Sequence, residues 1–104
     1  MKKIILAFAL IFTIFVVKAG EEISWQDVCK EVGGAARNTM ESRQLGVSIS
    51  HLMEMELVKK EPILESMIIG AYETPRYSTK EHQDKAVADF QNDAYLKCAK
   101  ALRK

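Results

Sequence analysis

Residues 24–40 read Ser-Trp-Gln-Asp-Val-Cys-Lys-Glu-Val-Gly-Gly-Ala-Ala-Arg-Asn-Thr-Met, SWQDVCKEVGGAARNTM. Trp25, Val28, Cys29, Val32, Ala36 and Met40 recur at spacings of three and four, the period of one helix face. Ser24 with Asp27 three residues on is an N-terminal cap, since a serine hydroxyl satisfies an amide of the first turn. Gly46, after Leu45, suits the left-handed position that closes a helix. Gly33-Gly34 inside the stretch costs about 1 kcal/mol per glycine relative to alanine, which predicts a kink or close approach by another backbone.

The same period runs through the rest of the chain, so the fold class expected is all-α, a small bundle of about four helices. A second helix starting near Ser48 or Ser50 places Ile49, Leu52, Met53 and Leu57 on one side and ends at Lys59-Lys60, cations that complement the helix dipole. Pro62 fits the first turn of a third, with Ile63, Leu64, Met67, Ile68 and Ala71 as its apolar stripe. Ser78-Thr79-Lys80-Glu81 has the capping-box pattern, with Ser78 as cap, and opens a last helix carrying Val87, Phe90, Ala94, Cys98 and Leu102 or Ala101. First and last helices are expected side by side, covered by the other two.

Ahead of this domain the chain begins MKKIILAFALIFTIFVVKAGEE. Two lysines, an apolar run from Ile4 to Val17 and Val17-Lys18-Ala19 form the three-part layout of a signal peptide. Residues 1–19 are read as that peptide and 20–104 as a single helical domain beginning at Gly20. A retained membrane anchor is the alternative, because the run approaches the lower length limit for a span, roughly 17 residues. Under either reading the domain lies outside the cytoplasm, periplasmic or secreted.

Removal of residues 1–19 takes Lys2, Lys3 and Lys18 and no acid, so the 15 basic residues fall by three to 12 against 14 acidic. The basic residues left are scattered among acids, which excludes the concentrated positive patch that nucleic acid binding needs. A domain this small buries about 60–65% of its unfolded surface and gains from a covalent staple. Cys29 and Cys98, one near each end, are expected to form one disulfide in an oxidising compartment. Two free thiols are the alternative; no C-x-x-C spacing or second metal-ligand pair accompanies them.

His51-Leu52-Met53-Glu54-Met55 has the look of a soft-metal site, with His51 and Met55 on one helix face and Met53 pointing elsewhere. Methionines so placed more often fill cores, and neither a metal nor another cofactor is expected. His51 and His82 are the only histidines, and no nucleophile elbow, zinc motif or phosphate cradle accompanies them. Hydrolytic chemistry requires a nucleophile, a base and an orienting group, so catalysis is not expected. Arg43 and Gln44 beside the Leu45-Gly46 turn, with Glu73, Arg76 and Tyr77 after the third helix, are the candidate partner contacts. Arginine and tyrosine give large, polar-tipped contact areas. The competing reading makes 71–81 a joint, with Tyr72 packing, Pro75 stopping the helix and Arg76 capping its carbonyls or pairing with Glu73.

Cys29, the run Met40-Glu41-Ser42-Arg43-Gln44-Leu45-Gly46-Val47, Met53, Ala71-Tyr72-Glu73-Thr74-Pro75-Arg76-Tyr77, Phe90, Tyr95 and Cys98 together resemble a group of short exported proteins of Gram-negative bacteria and the phages that infect them. The RQxG and AYExPRY elements are the most specific part. The resemblance implies export, helices and one disulfide, and brings no activity or functional residue with it. The expectation is a small exported protein that acts by binding another protein of the envelope or periplasm, as an inhibitor, chaperone or phage-exclusion factor does. The alternatives are a small-ligand or soft-metal carrier and an anchored envelope helper.

Overall fold

Ser24 takes an extended conformation and its hydroxyl accepts from the Asp27 amide at 3.2 Å, starting α1, Trp25–Leu45, in a computed structural model that describes residues 23–103. The N-terminal segment 1–19 read as a signal peptide lies outside the described residues. Gly46 closes α1 at φ 89°, its own amide donating to the Arg43 carbonyl. Ser48 caps α2, Ile49–Met53; α3 spans Glu56–Lys60, and Pro62 opens α4, Pro62–Tyr72. The last helix, α5, spans Lys80–Leu102. All five helices among the described residues follow in chain order, with no strand among them.

The long helices α1 and α5 pack side by side, and α4 packs on α1. A core of Met40, Ala71, Ala86 and Val87, with Tyr72 and Phe90 against it, joins the three. On α1 the buried residues are Cys29, Gly33, Ala36, Met40 and Gln44, a stripe whose last member is polar. Cys29 and Cys98 stand at disulfide distance, their Cα atoms 5.5 Å apart, where the start of α1 meets the end of α5.

Three expectations are corrected. The helix predicted over about 48–60 is two helices, which makes five in place of about four. Its backbone turns extended at Met55, φ −66° and ψ 136°. Leu52 and Val58 are six residues apart and would lie about 120° apart around a continuous helix; the break lets half-buried Leu52 and buried Val58 both face inward, while Leu57 turns out to solvent. These short helices cover α4, and not the α1–α5 pair, because their connections leave consecutive elements as neighbours. Finally, the cap of α5 is Thr79, one residue beyond Ser78: its hydroxyl accepts from the His82 amide at 3.3 Å and bonds His82 Nδ1 at 2.6 Å.

Gly33-Gly34 produces no break in α1. A Cβ on Gly33 would stand 3.6 Å from Gln91 Cγ and 3.7 Å from the Gln91 carbonyl, so α5 crosses closely there; Gly34 faces open space.

Candidate functional site

The RQxG and AYExPRY elements meet in space, and Gln44 joins them. The α1 stripe that buries Met40 buries Gln44 four residues on, leaving it 4% exposed. Its amide matches the backbone of the α4–α5 connection: Nε2 donates to the Pro75 carbonyl at 2.9 Å, and Oε1 accepts from the Tyr77 amide at 2.8 Å. Arg76 Nε returns a bond to the Gln44 carbonyl at 2.9 Å, an orphan acceptor of the last turn of α1. Arg43 Nε donates to the Thr74 carbonyl at 3.0 Å, its guanidinium 5.0 Å from the centre of the Tyr72 ring. The Tyr72 hydroxyl donates to the Val47 carbonyl, and Gln83 Nε2 donates to the Tyr77 carbonyl at 2.7 Å. Burial raises the Tyr72 pKa above its ordinary 10.0, and the Arg43 cation partly offsets that rise.

Of the five candidate contacts, Gln44 is sealed inside this clamp, and Arg43 and Arg76 each spend a guanidinium nitrogen on it. Glu73 is exposed, as is Tyr77, whose ring stands 5.9 Å from His82. Arg76 caps α1 in place of the α4 carbonyls, and it fits because Gly46 has no side chain: a Cβ there would meet the guanidinium at 3.0–3.2 Å. His51 and Met55 do not share a helix, since α2 ends at Met53 and Met55 is the extended residue before α3. Among the described residues no three His, Cys, Asp or Glu side chains group to hold a metal ion.

A different feature offers open surface. An apolar groove of about 490 Å³ runs between α1, α4 and α5. Val28 and Val32 form its α1 wall, Ile63 and Met67 its α4 wall, and Phe90, Ala94 and Leu102 its α5 side. Val28, Ile63 and Leu102 are 37%, 53% and 43% exposed, so stripe residues expected in the core form the lip instead. Asp93 and Lys97 also line it, paired with each other at 2.9 Å. A second groove is polar, its Arg37–Glu41 and Lys80–Asp84 pairs each one helical turn apart.

Sequence reasoning named the apolar residues of the groove and assigned them all to the interior, which holds for Met67 but not for the exposed Val28, Ile63 and Leu102. The signal for Gln44 was present: extending the Ala36–Met40 spacing by four lands on a polar residue. Comparison with protein-family models, curated proteins and solved structures returns no match to this chain.

Proposed function

We propose that this is a small exported protein that works in the periplasm or envelope by binding another protein, rather than by catalysis, and that the α1–α4–α5 groove is its contact surface. The groove carries the reading: a contiguous apolar depression with exposed lip residues is what a partner's apolar side chains need, and single scattered apolar residues would not supply it. The cysteine pair at disulfide distance supports an oxidising location, as does the resemblance to exported helical proteins. No helix among the described residues is long and apolar enough to cross a membrane.

Ile63→Glu with Leu102→Glu alters the lip and leaves the core untouched. The double variant is expected to keep the helical circular dichroism and Tm of the parent while losing the proteins that the parent captures from periplasmic extract. Arg76→Ala with Tyr77→Ala tests the connection instead. Loss of capture by that pair alone, at assay temperatures where its helical circular dichroism matches the parent and with the groove variant still competent, moves the contact surface to the loop and rejects the groove.

A second reading is a carrier of a small apolar ligand, favoured by a groove volume within the range of about 300–1,000 Å³ usual for such sites. Native mass spectrometry of protein purified from periplasm separates the two, because a carrier retains a bound small molecule. An intact mass that starts at Gly20 rules out the anchored form.

A further inference from the structure

We infer that the Cys29–Cys98 bond is a redox-sensitive latch that orders one end of the bundle, the end holding the groove, while the other end stays folded without it. The two ends are held by different means. At the Gln44 end lie the buried core of Met40, Ala71, Ala86 and Val87 and the hydrogen bonds of the clamp. Beyond Val87, every α5 residue from Ala88 to Leu102 is half-buried or exposed. At the start of α1 Trp25 is half-buried and Gln26, Asp27 and Val28 are exposed, and the buried positions that follow, Cys29, Gly33 and Ala36, are the cysteine itself and two small residues. Across from there Trp25 stands against Tyr95, ring centres 6.4 Å apart, Gly33 passes close over Gln91, and Met67 is the one buried side chain that α4 adds to the groove. An end with so little buried apolar surface opens first when its cross-link is cut.

The bond is approached from the groove. Cys29 is fully buried, whereas Cys98 is half-buried and lines the groove wall. A small dithiol entering there attacks Cys98 as thiolate, the Cys29 sulfur leaves and takes up a proton, and a mixed disulfide forms on Cys98. The second thiol of the reductant then displaces Cys98, which is protonated in turn. Two electrons and two protons pass to the cysteines, and the reductant leaves as its own disulfide. With the latch open, the α5 wall from Ala94 to Leu102 separates from α1, and the groove is lost. Oxidation after export would therefore assemble the surface only outside the cytoplasm, a consequence that rests on the groove reading above.

Hydrogen exchange read by mass spectrometry, with the oxidised chain and the same chain in dithiothreitol, tests the latch without any partner. The expected result is a loss of protection of about tenfold or more in peptides covering 25–32 and 94–102, with peptides covering 40–47 and 71–87 retaining theirs. The Cys29→Ala, Cys98→Ala double variant is expected to reproduce that pattern without reductant. Equal loss along the whole chain makes the domain one cooperative unit and overturns the latch. Unchanged protection at 94–102 in reduced protein overturns it equally.

Discussion

Gln44 Oε1 accepts the backbone amide of Tyr77 at 2.8 Å, so one side chain near the end of α1 fixes the approach of the chain to α5. Because Nε2 of the same amide holds the Pro75 carbonyl, Gln44 pairs with the connection much as a neighbouring strand would. Removing it leaves a donor and an acceptor without partners.

Gln44→Ala is expected to destabilise the domain by about 2–3 kcal/mol, from two lost hydrogen bonds at about 0.5–1.5 kcal/mol each and the lost packing of a buried side chain. For a domain of this size that lowers Tm by about 10–20 °C. Gln44→Met keeps the volume and loses both bonds, so a Met variant as stable as the parent would show that packing and not pairing matters. Thermal melts followed by circular dichroism decide it.

The caps give a sharper contrast. Thr79→Ala should cost about 1 kcal/mol, whereas Ser78→Ala should change stability by less than about 0.5 kcal/mol. Equal losses in urea titrations would mean that both hydroxyls act at the start of α5.

Stability is expected to fall in alkali through Tyr72. Burial raises its pKa in the folded state above the 10.0 of the free side chain, despite the opposing Arg43 cation. The unfolded chain therefore releases this proton first, so the contribution is complete below about pH 10 and is lost as pH rises through the folded value. Melts of the parent and Tyr72→Phe between neutral pH and pH 11 should converge as pH rises, with Phe less stable at neutral pH by about 1 kcal/mol for the missing hydrogen bond to Val47. A constant difference across that range would exclude Tyr72 as the titrating group.

Three glycines separate conformation from space. Gly34→Ala meets open space and should stabilise by about 1 kcal/mol through helix propensity. Gly33→Leu should destabilise by wedging α1 from Gln91, although a bare Cβ there makes only ordinary contacts. Gly46→Ala is strained at φ 89° and displaces Arg76, so it should cost more than about 1 kcal/mol. Urea titrations of the three should give those signs.

Legibility follows the range of the forces. The Ser24 cap, Gly46 at the end of α1 and Pro62 at the start of α4 are decided within about four residues, and those boundaries read correctly. The cysteine pair was expected from the exported location read at the N-terminus and from both residues falling on apolar stripes. Nothing between Ile49 and Lys60 marks the break at Met55, where no glycine or proline stands; the inward turn of Val58 against α4 imposes it. The choice of Thr79 over Ser78 is also remote in origin. Tyr77 is held at its amide by Gln44 and at its carbonyl by Gln83, and this sets where the extended chain can bend into a helix. The groove was illegible because periodicity marks an apolar face without telling whether a neighbour is long enough to cover it, and α4, 11 residues long, begins only at Pro62, beside the groove.

The Cys29–Cys98 pair spans 69 positions, and the Glu54–Met55 junction lies exposed inside that span. With the pair oxidised, a protease that cuts there separates α1 and α2 from α3, α4 and α5 without releasing either fragment. The nicked molecule therefore runs as a single species on a non-reducing gel and as two once thiol is added, so survival of the band by itself is no measure of an intact backbone.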